Sequence, residues 1–475
     1  MAPAEASVSR LKTALPAVGI ALTAGTLATA ARSPVALALI AGALIGAPIL
    51  WHAFASPRHW PLIFCAAVIL LPPVPFAIGD SGAHPSLLIA AAGLLAGLVH
   101  AREWRIQSTA LNAWLAALMA VFSVSLAFAV LYSGLPVAAA SAARLLLLAL
   151  GIYVYFTASQ GPGRLTAHDA EATARRLFWI AAAAALFGCI DFIYQLPAPA
   201  GFGAQFIWLD TGVYRRAQGL FYDASALGNF CAFFLVMSVT ALTGRKLLAR
   251  PVAAFGVVIF LAALMLSFSR AAIGAAAISC LALAALEPRI WAKLWLALAV
   301  GVLAAATAVT FLLVLPEIAS TYLARFDFGS GSATPERFFS GRLETWRAIA
   351  GFIAAHPWQM LVGIGYKTLP YTRHLGPSLI ADNMYLSTLV ETGVFGLGAL
   401  LALTAAILRG SLGAAKRGSF FGRWMFCFWI GEMFQMLLGD VLTFWRVLPA
   451  CFWVLAQVAN ENASAENTSA KNTID

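Results

Sequence analysis

Apolar residues along this chain gather in blocks of about 17–25 with short polar or charged breaks between them, the block length that carries an α-helix across roughly 30 Å of hydrocarbon. The pattern predicts fourteen spans, at 15–31, 34–54, 60–78, 86–100, 109–131, 137–157, 177–196, 220–243, 252–267, 271–286, 291–315, 383–408, 420–438 and 441–459. Three of these, 86–100, 252–267 and 271–286, are short, as in tilted partners or a re-entrant pair. The pattern lapses twice. One lapse is the stretch 316–382, about 67 residues of mixed polarity. Within it Trp346, Ile349, Ala350 and Ile353 fall at i, i+3, i+4 and i+7. That is the apolar stripe of a surface helix, which lies on the membrane or packs on the bundle, and His356-Pro357 ends it. The other lapse is 460–475, rich in Glu, Asn, Ser, Ala and Thr, which reads as a disordered tail.

The fold class that follows is all-α: a polytopic transmembrane helical bundle of about 12–14 spans. Residues 1–315 hold helices 1–11, 316–382 form one long loop with its surface helix, 383–459 hold helices 12–14, and 460–475 form the tail. Composition removes the competing classes. The chain is 61% hydrophobic and 11% charged, with a mean hydropathy of +0.86, whereas soluble domains are about 45–50% apolar and ~25% charged.

The net charge of +10 would suggest nucleic acid in a soluble protein. Here the basic residues instead occupy alternate short loops: Arg10/Lys12, Arg58, Arg102/Arg105, Arg164/Arg175/Arg176, Arg245/Lys246/Arg250, Arg289/Lys293 and Arg409/Lys416/Arg417/Arg423. The loops around 79–85 and 132–136 hold none, and Arg32 is the one slip in the first half. This bias predicts cytoplasmic termini. Arg10 and Lys12, followed by an apolar run ending at Ala28–Ala31, imitate a cleavable leader, but further spans follow at once and favour an uncleaved first helix. The cysteines at 65, 189, 231, 280, 427 and 451 stand singly in apolar blocks, as small core residues do, and no metal site is expected.

With the bias set, its exceptions carry information. The outer side holds Arg215 and Arg216 before span 8, Arg270 in the minimal turn Ser267-Phe268-Ser269-Arg270, and Arg342 and Arg347 on the loop helix. Ala381-Asp382-Asn383-Met384-Tyr385 and Glu391-Thr392-Gly393 open span 12 on the same side. A charge in so tight a turn as Arg270's is costly and marks function. Converging guanidinium forks suit a diphosphate, and Asp382 is placed to take a proton from a hydroxyl. Trp346 and Tyr385 are the candidate sugar contacts, with Arg215, Arg347, Asn383 and Glu391 further candidates for sugar or acceptor. Gly363-Ile364-Gly365 is a turn signal and a poor phosphate loop, lacking a strand and a Walker lysine. Arg144 and Asp191, near the outer ends of spans 6 and 7, are expected to pair inside the membrane, the alternative being that Arg144 helps to hold the donor phosphate; Glu432 and Arg446 raise the same question.

In these stretches, taken in order from Arg216–Asp223 through Ser269-Arg270-Ala271, Gly341-Arg342…Trp346, His356-Pro357 and Gly363-Ile364-Gly365 to Asp382-Asn383…Glu391-Thr392-Gly393, the chain resembles the O-antigen ligase and polymerase superfamily of bacterial envelope glycosyltransferases. The likeness covers about 216–460. It implies a metal-independent, inverting glycosyl transfer at the periplasmic face of the bacterial inner membrane, with no cofactor. The implied donor is a glycan on undecaprenyl diphosphate held by Arg270 and Arg342, with Arg216 beside them. The implied base is Asp382. Ligases that modify lipid A–core usually carry His-Asn where this chain has Asp382-Asn383, which favours a polymerase joining repeat units over a ligase. The implied partners are the lipid-linked glycan, an acceptor glycan, the bilayer and a chain-length regulator; no nucleic acid is expected. A lipid-linked oligosaccharide flippase is the competitor from another class, though carriers place charge near the midplane and show paired halves, and neither sign is found here.

Overall fold

The computed structural model describes residues 46–73, 77–78, 81–82, 84–198, 205–209, 212–243, 247–287, 301, 342–372 and 379–472. The expected spans 15–31 and 291–315 (residue 301 apart), most of 34–54, and residues 316–341 lie outside them. The longer helices described from end to end are α1 (Trp60–Leu70), α2 (Ser86–Val99), α3 (Ala110–Ser133), α4 (Leu135–Gln160), α5 (Ala167–Tyr194), α6 (Ala224–Leu242), α7 (Arg250–Leu266), α8 (Arg270–Leu286), α9 (Arg342–Ala355), α10 (Met384–Lys416), α11 (Phe420–Leu438) and α12 (Leu448–Asn472). Two small antiparallel hairpins, Ala77–Ile78 with Ser81–Gly82 and Phe206–Leu209 with Gly212–Arg215, interrupt them. The chain is an all-α, multi-pass membrane bundle. Among the described residues α3, α4, α5, α6 and α10 are long and apolar enough to cross a membrane, and α1, α2, α7 and α8 are shorter apolar helices.

Helix α6 is apolar all round, the pattern of a helix enclosed by others, and 89% of its apolar window is buried. Asp223 starts it by accepting hydrogen bonds from the backbone N–H of Ser225 at 2.7 Å and Ala226 at 2.9 Å, four residues later than the apolar pattern suggests. Phe233 packs from α6 onto Trp424 and Phe428 of α11, with ring centroids 4.6 and 4.8 Å apart.

Helix α11 fixes the level of the two elements that matter most. Small residues let α8 lie against it: Gly274 faces Phe434, and Gly431 faces Ala275 and Ser279. On its other side the Tyr385 hydroxyl of α10 donates to the Met433 carbonyl at 3.2 Å, and Gly422 faces Ala414 near the far end of α10. Both neighbours therefore run antiparallel to α11. The first residue of α8, Arg270, and the residues that precede α10 lie together at the Leu438 end of α11.

Three expectations are corrected. Helix α12 continues to Asn472 through the segment expected as a disordered tail. Extending a formed helix avoids the cost of nucleation, and side chains tie the extension down: Asn462 Nδ2 donates to the Gly410 carbonyl at 3.2 Å, and Ser419 bonds Glu461. The buried stripe of α9 is Ile349 and Phe352, with Ala350 exposed. It packs with Met360, Ile364, Leu369, Ala381 and Val390 in a second small core, so α9 sits on the bundle. The Arg144–Asp191 pair does not form. Asp191 instead binds Arg215 at 2.6 Å, because the hairpin Phe206–Leu209/Gly212–Arg215 folds Arg215 back over the end of α5, while Arg144 reaches the Lys367 carbonyl and the Tyr371 hydroxyl, the latter at 3.0 Å.

Candidate active site

The site begins with a break in a helix. Gly393 lies inside α10 with φ 72° and ψ −172°, a conformation open to glycine and strained for side-chain-bearing residues. The break frees the carbonyls of Val390 and Glu391 from the helix ladder. Gly363-Ile364-Gly365 fills the gap, with Ile364 N–H donating to Val390 O at 3.0 Å and Gly365 N–H to Glu391 O at 2.8 Å. A Cβ on Gly393 would collide with the Leu361 carbonyl, and one on Gly363 with the Glu391 backbone. The Gly-Ile-Gly turn is thus a clamp on the broken helix, and it hangs the segment 363–372 over the ends of α3 and α4. Glu391, a sequence candidate for sugar contact, is buried in this clamp and accepts from Leu369 N–H at 3.1 Å.

Asp382 lies just before α10. Asn383 caps that helix, its Oδ1 accepting from Leu386 N–H at 3.0 Å, and the chain enters the cap through a left-handed Asp382 with φ 43°. The Asp382 carboxylate accepts from Arg342 Nε at 3.1 Å, the side chains being 46% and 24% exposed. One turn along α9, Trp346 Nε1 donates to the Ala381 carbonyl at 2.7 Å. The loop helix therefore grips the Asp382 peptide from both sides. Trp346 and Tyr385 both spend their polar atoms on backbone carbonyls, although their rings border the site. Arg347 is exposed on α9.

The second group of residues surrounds the turn between α7 and α8. Arg216 Nε donates to Ser267 O at 2.8 Å, and Ala217 N–H donates to Leu266 O at 3.0 Å. Arg216 and Arg270 thus flank one turn. Ser269 precedes α8 without a side-chain cap, so the first N–H groups of a 17-residue helix face this end of the bundle unsatisfied by it. Arg215 is engaged by Asp191 and the Leu196 carbonyl, a brace for the hairpin.

The two groups are joined through α6 and α11. Gly228 of α6 faces Ser267 and Ser269. The next residue, Asn229, donates from Nδ2 to both Glu432 oxygens at 3.0 and 2.7 Å and to Gln435 Oε1 at 3.2 Å. Met433, the acceptor for Tyr385, follows Glu432. Arg270 and Asp382 thus stand at the end of one connected framework.

Sequence reasoning missed Lys367, Tyr371 and Asp440. Lys367 pairs with Asp440 beyond the end of α11; burial lowers its ammonium pKa to about 8, opposed by the Glu391 carboxylate. Asp440 directly after Gly439 and Lys367 two residues after Gly365 were the available signal; Tyr371 offered none. Backbone strain marks the same end. Gln195, Tyr222, Phe268, Lys367 and Asp382 are the non-glycine residues with positive φ among the described residues, and all five sit at the Leu438 end of the bundle. Such strain gathers where a site must be held in shape.

A search of curated proteins returns no match to the chain. A family model described as O-antigen ligase matches residues 255–401, the stretch that carries the Ser269-Arg270 turn, Arg342, the Gly-Ile-Gly clamp and Asp382-Asn383. The match covers less than a third of the chain and falls on the segment whose motifs bear the resemblance to the O-antigen ligase and polymerase superfamily.

Proposed function

We propose that the chain is a glycosyltransferase that moves a glycan from undecaprenyl diphosphate to a hydroxyl acceptor at the periplasmic face of the inner membrane, without a metal. The observation that carries this reading is the contact between Arg342 and Asp382 at 3.1 Å, at the same end of α11 as Arg216, Arg270 and the uncapped start of α8. The acceptor hydroxyl oxygen attacks the anomeric carbon as the bond from that carbon to the diphosphate oxygen breaks. The hydroxyl proton passes to Asp382, and the lipid diphosphate leaves with its negative charge met by Arg270, Arg342 and Arg216. Helix N–H groups at the start of α8 add donors of the same sign. One displacement of this kind inverts the anomeric centre. Arg342 is placed to feel both the leaving charge and the base, which couples the two halves of the step.

Joining of repeat units into a polymer is the preferred activity, because a carboxylate stands at Asp382. Transfer to lipid A–core is the second reading, favoured by the description of the matched family. Purified protein in detergent with lipid-diphosphate glycan tests both. A ladder of lengthened chains supports the polymerase, a single transfer to added core lipid supports the ligase, and unchanged donor in the presence of either acceptor refutes transfer.

A further inference from the structure

A separate cavity of about 480 Å³ opens at the other end of the bundle, among α3, α4, α10 and α12. Its volume falls in the range of about 300–1,000 Å³ typical of ligand sites. Ala402, on its wall, lies twenty residues along α10 from Asp382, roughly 30 Å at the helical rise, so it is no part of the transfer site. Arg164 and Arg409 stand at the rim against the single carboxylate of Glu466. Both arginines are exposed, and among the described residues neither guanidinium has a hydrogen-bond or ion-pair partner. Two guanidinium forks over one cavity are the recognition chemistry of a phosphate.

The interior argues for an amphiphile over a free ion. Below the rim the wall is Leu111, Trp114, Ala402, Ala406, Leu455 and Val458, apolar surface of the kind that takes an acyl chain. The polar floor is held in place before any ligand arrives. The Tyr155 hydroxyl donates to Asn112 Oδ1 at 2.7 Å, Gln160 Oε1 accepts from Gln107 N–H at 3.2 Å, and Asn460 Nδ2 donates to the Ala158 carbonyl at 3.1 Å. These bonds tie α3 and the segment before it to α4, and α4 to α12, so the cavity is a built feature. Trp114 is 39% exposed, as suits an indole at the level of lipid headgroups.

We propose that this cavity binds an anionic glycerophospholipid, its headgroup phosphate between Arg164 and Arg409 and an acyl chain along the Trp114–Ala402 wall, in the leaflet opposite the transfer site. Basic pockets between membrane helices take anionic headgroups in this way. The proposal does not depend on the glycan chemistry, and its test reads lipid rather than product.

The experiment is native mass spectrometry of the delipidated full chain with added phosphatidylglycerol or phosphatidylcholine. Phosphatidylglycerol should be retained and phosphatidylcholine not. The double variant R164Q/R409Q should lower phosphatidylglycerol retention about tenfold, and A406W, which fills the cavity, should lower it with both arginines present. R250Q, an exposed arginine outside the cavity, should leave retention unchanged. Equal retention of the two lipids, undiminished retention in R164Q/R409Q or A406W, or an equal loss in R250Q would each overturn the proposal.

Discussion

Arg342 Nε and Asp382 Oδ2 lie 3.1 Å apart across forty residues of sequence, joining the loop helix to the cap of α10. A half-exposed pair of this kind contributes only about 0–1 kcal/mol to stability. Its removal should therefore show in chemistry and not in folding. R342A and D382N should insert normally and unfold within a few degrees of the parent, yet form no product. R342K should rescue little, because an ammonium lacks the bidentate fork. Glycan transfer by purified D382N at near-parental rate would remove Asp382 from the role of base.

Trp346 acts on the same residue at one remove. Its indole N–H holds the Ala381 carbonyl and thereby the peptide leading into a left-handed Asp382. W346F keeps an aromatic ring at this position but removes the N–H that pairs with that carbonyl. We expect kcat to fall by about tenfold, a loss of ~1.4 kcal/mol in the transition state, with KM for the lipid donor little changed. A rise in KM with unaltered kcat would instead make Trp346 a donor-binding ring.

The clamp on α10 admits a test of fold. Gly393 has φ 72° and Gly363 has φ 80°, and a Cβ on either meets backbone of the partner segment. G393A and G363A should each destabilise the protein by at least ~2 kcal/mol, seen as lowered thermal stability in detergent. G398A, at a position with nothing near its Cβ, should be neutral.

Much of this arrangement was legible in the sequence, and the reason differs by element. Block lengths disclosed the helices from 86 to 286 and from 384 to 438, because a membrane span must be apolar throughout its length, but α5 begins ten residues before its expected span and α10 ends eight residues after its own, where polar residues continue the helix. The candidate arginines stood out because they break a charge rule, and Asp382 because it stands on the same side at the mouth of a span. Partner choice did not show. Asp191 had two arginines within reach of its depth, and only the return of the 206–215 hairpin decides for Arg215. Asn229 and Glu432 are 203 residues apart, and Lys367 and Asp440 are 73 apart; no local spacing links such pairs. The helical run from 460 to 472 was hidden for another reason: its composition is that of a tail, and bonds from Gly410 and Ser419 hold it.

Glu432 tests how far the framework beneath the site depends on one buried carboxylate. Both its oxygens accept from Asn229 Nδ2. E432Q keeps an acceptor and should retain most stability and activity. E432A leaves Asn229 with Gln435 as its remaining acceptor in this cluster and should cost about 1–3 kcal/mol. Because α6 carries Gly228 against the Ser267-Arg270 turn, activity should fall with stability in E432A, and Gln at this position should restore both.

His84 provides a dependence on pH whose sign is fixed by its neighbours. The ring lies in the segment between α1 and α2, with Nε2 2.9 Å from the Leu71 carbonyl and Nδ1 2.7 Å from Ser86 Oγ. Those contacts select the neutral ring with the proton on Nε2, since Ser86 N–H also points at Nδ1 from 3.3 Å. Burial and the Arg446 guanidinium lower its pKa to about 4 from 6.5. The unfolded chain therefore binds this proton more readily than the folded one. The contribution is fully present above about pH 6.5 and is lost as pH falls toward 4, a change of roughly 3 kcal/mol for a shift of that size. Thermal unfolding between pH 7 and pH 4 should show the parent losing stability faster than H84Q, whose overall stability is lower but lacks this proton. Parallel curves for the two proteins would mean that His84 is not held neutral in the fold.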